Sequence, residues 1–531
     1  MLDTLIKNAT ILDGTGRKAH PGCVGILNGR LALDGVGALT PAIRTIDAKG
    51  RYLAPGFIDA HSHGDLIFDR EFSMRAKLCQ GITTHIAGQC GDSVFPCGEG
   101  HESQYREICS LSNDRIPPEW NGFRSMRAFL DTFERTPVAL NMGTFVGHNS
   151  IRAAVMGFEN RAPSPEELDR MCALLEEALE CGAMGMSTGL VYMPGCFAAY
   201  PELLALAKVL ARHGAIYVTH MRDESNRVTD AIRETLSLGR EAGCRVWISH
   251  HKTSGIRNWG RSAETLHLID EALGEGLDVM LDQYPFAASM TVLAACFPPE
   301  RLAVGAEKLI EQLKDPAFRA QVKAEMEVVP TDFENLIGMC GFDRVLLENA
   351  DAEGVVSLAD LAKAQGKEPF DALFDLIIET KGNAGGIYRM IIEEDMNNIL
   401  RYPVCSVGID AVREPLNPNM HPRSRASFPR FLARWVREKS WLTLEDGVRK
   451  ITGLPADSYG LHRKGYLREG LDADLVIFDY ATIAGPADYG CGDLPNIGIK
   501  AVYVNGTCAV WDGVITGKNA GRPVLRAEAV E

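Results

Sequence analysis

Two histidines stand two residues apart in Ile58-Asp59-Ala60-His61-Ser62-His63, and side chains at i and i+2 of a strand share a face. Two imidazoles on one face can share a metal ion. Cys90 follows in Gly88-Gln89-Cys90-Gly91-Asp92, delivered by the next expected strand, Ile82 to Gly88, where the glycines let backbone approach closely. His220 and His250 close two further apolar runs, and Asp410 ends Pro403-Val404-Cys405-Ser406-Val407-Gly408-Ile409-Asp410. Taken singly, each fits a packed or hydrogen-bonded core residue. Together they bring imidazole, thiolate and carboxylate to equivalent strand ends, a donor set that suits zinc. His85 lies earlier on its run and His251 alternates to the face opposite His250, so both are read as structural.

The elements that must position these donors follow a repeating pattern. Ser164-Pro165-Glu166-Glu167 combines an N-cap, a first-position proline and a capping-box glutamate, and apolar residues then recur at helical spacing to Leu179. Strands are expected at Ala183–Ser187, Ala215–His220, Arg245–His250 and Leu277–Gln283, separated by helices over 202–212, 227–241 and 263–273. Such alternation means a parallel sheet. Polar residues at the C-terminal ends of successive strands favour a (β/α)8 TIM-like barrel, which gathers its chemistry there, over an open doubly wound sheet.

Both ends of the chain read differently. Short apolar strands are punctuated by Asp13-Gly14, Asn28-Gly29, Asn505-Gly506 and Asp512-Gly513, and neither end alone has enough strands to bury a face. One small β domain from 1–54 and 465–531 is expected, with the barrel over 55–464. An insertion is placed at 286–350, where Phe297-Pro298-Pro299, Asp315-Pro316 and Val329-Pro330 interrupt the alternation.

A chain of 531 residues exceeds the size of a single small core. Its 55 basic and 70 acidic residues give a formal charge of -15, the wrong sign for binding nucleic acid or an anionic membrane surface. No apolar run approaches the length of a membrane span, and the first residues carry no secretory pattern, so a cytoplasmic location is expected. Fourteen cysteines, dilute and irregularly spaced, read as thiols in a reducing compartment, Cys90 being the exception with a chemical role.

With these residues in view, the sequence resembles the N-acyl-D-amino acid deacylases, or D-aminoacylases, of the amidohydrolase superfamily. The resemblance runs through Pro55-Gly-Phe-Ile-Asp-Ala-His-Ser-His-Gly64, Gly88 to Ser93, Ser187 to Tyr192, Thr219 to Glu224, Ile248 to Lys252, Asp282 to Pro285 and His421-Pro422-Arg423. It implies zinc-dependent hydrolysis of the amide of N-acyl-D-amino acids, small-molecule substrates. It also implies tight zinc at Cys90, His220 and His250, and a second, weaker position at His61 and His63 with Asp410 close by. Asp410 would be the catalytic acid–base group, although Gly408-Ile409-Asp410-Ala411 differs from the family's Ser-Asp-Gly. Lys252, Tyr284 and Arg423, with Tyr192, match residues that hold the substrate and its α-carboxylate. A cyclic-amide hydrolase of dihydroorotase or hydantoinase type is the alternative enzyme. A non-catalytic scaffold is the alternative of another class.

Overall fold

The computed structural model describes residues 1–65, 73–112, 120, 122–328, 333–348, 356–411 and 418–526. Val329-Pro330, used above to mark the insertion, and the last residues assigned to the β domain, 527–531, lie outside them. The central strands are β1 (Phe57–Asp59), β2 (Ile82–Ala87), β3 (Asn141–Thr144, continued at Val146–Gly147), β4 (Gly185–Gly189), β5 (Ile216–His220), β6 (Arg245–Ile248), β7 (Val279–Gln283) and β8 (Cys405–Val407). Neighbours in this order pair in parallel, from Phe57 opposite Ile82 to Leu281 opposite Cys405. The ring closes just past the strand ends, where Asp410 N donates to His61 O at 2.9 Å and His63 N to Ala411 O at 3.2 Å. The fold is the (β/α)8 barrel that the alternation predicts.

Helices α1 (Pro165–Glu180), α2 (Tyr200–Arg212), α3 (Val228–Ala242) and α4 (Ser262–Gly274) separate the middle strands. In α1 the Ser164 hydroxyl accepts from Glu167 N while the Glu167 carboxylate accepts from Ser164 N, so the expected capping box forms. Such a cap stabilises a helix start by about 1 kcal/mol. Its buried stripe, Met171, Leu175, Ala178 and Leu179, keeps the helical spacing seen in the sequence.

The barrel interior is packed. Ile58, Ile86, Met184, Ile216, Val218, Trp247 and Met280 form one buried cluster, and the Trp247 ring stacks on Tyr459 with centroids 4.3 Å apart. On β5, Ile216, Val218 and His220 share a face at period two, so one strand supplies both the apolar floor and a polar group at the mouth.

Both chain ends meet in one sheet. Tyr52–Pro55 pairs antiparallel with Leu475–Phe478, joining the two terminal regions into a sheet of nine strands among the described residues. Its apolar side includes Ile6, Val24, Ile26, Leu53, Leu475, Ile477 and Tyr503. Asn28-Gly29, Asn505-Gly506 and Asp512-Gly513 all have positive φ at both positions, the backbone of tight hairpin turns.

Between β7 and β8 the chain adds a layer that extends past the predicted limit at residue 350. Strands Ser289–Val292 and Val345–Leu347 both pair antiparallel with Gly385–Tyr388, so the middle strand of this small sheet lies well beyond it. Of the prolines used to mark the interruption, Pro299 and Pro316 each open a helix. They locate where added helices begin and carry no signal for where the addition ends.

Candidate metal and catalytic site

All the predicted donors stand at the C-terminal rim of the barrel. His61 and His63 follow β1, Cys90 follows β2, His220 ends β5, His250 follows β6 and Asp410 follows β8. Cys90, His250 and Asp410 have φ of 52°, 32° and 46°, a region costly for residues with a Cβ. Three such positions at one rim mean that the surrounding structure imposes the geometry. Gly88 shows how: a Cβ there would stand 2.2 Å from Phe145 O, so only glycine lets the Cys90 loop lie against the next strand.

The donor atoms converge. Cys90 Sγ lies 3.3 Å from His250 Nε2 and 3.4 Å from His61 Nε2, and Asp410 Oδ1 lies 3.2 Å from His63 Nε2 and 3.5 Å from His61 Nε2. Ligand atoms of His61, Cys90, His250 and Asp410 all fall within 4.8 Å of one another, as do those of His220, Glu224 and His250. Two donors bound at about 2.0–2.3 Å to one tetrahedral zinc stand about 3.3–3.8 Å apart, which the cysteine and histidine separations match. Both ring nitrogens of His220 and Nδ1 of His63 are buried without a hydrogen-bond partner in the protein. Buried polar atoms are seldom left so, and the His220 ring lies against the His250 imidazole, with Glu224 Oε2 3.5 Å from its Nε2. The residues present therefore fit zinc.

Charge in the site is held by partners behind the donors. Asp282 lies 3.3 Å from His61 Nδ1, accepts from Trp247 Nε1 at 2.6 Å and accepts from His250 N at 3.0 Å. Glu224 lies 3.1 Å from His250 Nδ1, and its other oxygen accepts from Lys252 Nζ at 2.6 Å. At His61 this suits an imidazole whose Nδ1–H is donated outward and whose Nε2 faces the cluster, whereas His250 Nδ1 lies between the Glu224 carboxylate and Lys252 Nζ, the latter 2.7 Å away. Burial pushes the Cys90 thiol up, yet the charges of His250 and His61 outweigh it and hold the group well below the usual thiol range. Burial likewise opposes ionisation of Asp410, but Arg423 and His250 hold its carboxyl well below the usual carboxylate range. His63 is held at about 10, because its bonds to Asp410 and Cys90 outweigh the cost of burying the cation.

The predicted substrate-binding residues line the same cavity, of about 270 Å³. Arg423 Nη1 donates to Asp410 Oδ2 at 2.7 Å, and its Nε is buried without a partner. Its guanidinium lies 4.9 Å over the Tyr284 ring, and Tyr284 Oη is 2.9 Å from Ser289 Oγ. Tyr192 stands edge-on to His220 with centroids 5.0 Å apart. Lys252 is in the wall, paired with Glu224. Outside the cluster, His251 Nε2 is 2.9 Å from Thr265 Oγ1 and His85 Nδ1 is 2.7 Å from Lys77 Nζ, in keeping with their structural reading.

Glu224 and Asp282 were not singled out in the sequence. A carboxylate four residues after His220 and one opening Asp282-Gln283-Tyr284-Pro285 look like ordinary strand-end polar residues until the adjacent strands bring them behind His250 and His61.

The whole chain has counterparts among known proteins. It is 37% identical to the N-acyl-D-aspartate deacylase of Alcaligenes xylosoxydans xylosoxydans over 98% of its length and 95% of that protein. The N-acyl-D-glutamate deacylase of Bordetella bronchiseptica, solved with zinc and a phosphonate inhibitor that mimics the tetrahedral intermediate, superposes with a TM-score of 0.81. It is 34% identical, with 99% of this chain and 100% of that one covered. A D-aminoacylase structure, from work on its binuclear metal centre, gives a TM-score of 0.79 at 32% identity, with coverage of 99% and 100%. Residues 44–510 match the amidohydrolase family, spanning every donor of the cluster and the strands that carry them, and the chain belongs to that family.

Proposed function

We propose that the protein is a zinc-dependent N-acyl-D-amino acid deacylase, hydrolysing the linear amide to a carboxylate and a free D-amino acid. The observation that carries this reading is the Cys90, His61, His250 and Asp410 cluster set beside Arg423 and Tyr284, in a chain whose full-length relatives are deacylases of N-acyl-D-amino acids. Cys90, His220 and His250 would hold the tighter zinc, and His61 and His63, with Asp410, a second and weaker one. Zinc at such a donor set supplies positive charge that brings water towards ionisation near neutral pH and polarises a carbonyl.

The chain's own residues do the rest. Asp410, ionised through Arg423 and His250, accepts the proton of the attacking water and returns it to the departing nitrogen as the C–N bond breaks. Arg423 keeps donors free of Asp410, and a planar guanidinium suits the substrate α-carboxylate, with Tyr284 supplying a hydroxyl beside it. Lys252 adds positive charge to the same wall, and Tyr192 closes the side next to His220. Glu224 and Asp282 fix the ring orientations of His250 and His61.

The division into a β domain at 1–54 with 465–531 and a barrel at 55–464 is part of the same proposal, supported by the pairing of Tyr52–Pro55 with Leu475–Phe478. A reducing, cytoplasmic setting is proposed because it keeps Cys90 available as a thiolate. Turnover of N-acetyl-D-amino acids by protein of known metal content tests the reading. Hydrolysis of hydantoins with no action on acylated amino acids would replace it with a cyclic-amide hydrolase.

A further inference from the structure

A second cavity, of about 120 Å³, abuts the catalytic one, and the two share Ile108, Val191, Tyr192 and Ala295 as common wall. Beyond that wall the chamber is lined chiefly by Val292, Ala294, Leu302, Leu309, Ile310 and Ile377. Its polar lining is the half-buried Glu107, whose carboxylate accepts from Ala306 N at 3.1 Å, with Lys381 and Asn383, both exposed. Apolar cavities of about 150 Å³ hold a benzene molecule, so this one has room for about four to six carbon atoms.

The direction of the chamber decides which part of a substrate it faces. Strand Ser289–Val292 runs from one site to the other. Ser289 meets Tyr284 at the clamp end, Thr291 bonds the Tyr192 hydroxyl, and Val292 is chamber wall. At about 3.3 Å per residue the strand spans about 10 Å. An amide carbon carries its nitrogen on one side and its acyl chain on the other. With the α-carboxylate at Arg423 and Tyr284 and the carbonyl at the Cys90–His250 cluster, the acyl chain leaves on the side away from the clamp. That side is Tyr192, whose ring lies against His220.

We infer that this chamber is an acyl-chain subsite, entered past Ala295, and that substrates with an apolar acyl group of about four to six carbons are preferred over acetyl derivatives. The inference rests on the deacylase reading above. Each methylene moved from water into the chamber should raise kcat/KM by about three- to fourfold.

The test compares N-acetyl, N-butyryl and N-hexanoyl forms of one D-amino acid on the intact, zinc-loaded enzyme, then on Ala306→Phe and Ala294→Leu, which fill the chamber from different elements. The expected result is a rise in kcat/KM from acetyl to hexanoyl of about eighty- to two-hundred-and-fifty-fold over the four added methylenes, and a hexanoyl-to-acetyl ratio that falls towards one in either variant that folds. A flat or falling acyl series with acetyl turned over would overturn the subsite and leave the deacylase reading intact. So would a series that rises in the parent and keeps its slope in both folded variants, or rates that follow the length of the amino-acid side chain instead. No turnover of any N-acyl-D-amino acid, acetyl included, would overturn the deacylase reading and the subsite with it.

Discussion

Arg423 Nη1 reaches Asp410 Oδ2 at 2.7 Å inside the cavity, so the cation proposed to hold the substrate also sets the charge of the group proposed to move the proton. Arg423→Ala should therefore do two things. A charge-assisted hydrogen bond contributes about 1.5–3 kcal/mol, so kcat/KM should fall by about ten- to over a hundredfold. Losing the guanidinium also lets the Asp410 pKa rise, because a depressed carboxyl pKa returns upward when its cation leaves. The acid limb of the pH–rate profile should then move to higher pH. Substrates amidated at the α-carboxylate should be poor for the parent enzyme and lose little further in the variant. An unchanged acid limb and full activity on the amidated compound would separate Arg423 from both roles.

Asp410→Asn keeps the shape of the side chain and removes its ability to carry a proton. The variant should fold, retain the tighter zinc and lose at least about a hundredfold in kcat. Metal analysis alongside steady-state rates checks this, and parental rates would assign the proton transfer elsewhere.

Cys90→Ala replaces a thiolate with a methyl group at the point nearest both His61 and His250. Bound zinc and turnover should fall together. Full metal occupancy with normal turnover would remove Cys90 from the site.

Glu224→Gln tests the residue that links His250 to Lys252. A neutral amide still fills the space but holds the imidazole and the ammonium less strongly, and zinc affinity should drop by about ten- to a hundredfold. Competition with a graded chelator measures it. An unaltered affinity would make Glu224 a counter-ion for Lys252 alone.

The barrel was legible because its middle strands and helices repeat local signals: the capping box at Ser164, the helical recurrence of apolar residues to Leu179 and the strand that ends at His220. The donors were legible because histidine, cysteine and aspartate recur at strand ends, and the structure brings every one of them to the same rim. The supporting carboxylates Glu224 and Asp282 were hidden, since their role depends on which strands are neighbours. The full extent of the layer between β7 and β8 was hidden for a similar reason: Gly385–Tyr388 is short, and only its two distant partners make it a strand. The left-handed backbone at Cys90, His250 and Asp410 has no sequence signal, because the barrel rim imposes it on residues chosen for their chemistry.

The most direct measurement of the central claim is the initial rate on paired N-acetyl-D- and N-acetyl-L-amino acids, taken with zinc bound, after chelation and after zinc is restored. The expected result is turnover of the D form, little or none of the L form, loss of activity with the metal and its return on addition of zinc. Equal rates on both enantiomers, or undiminished hydrolysis by protein shown to be free of metal, would contradict it.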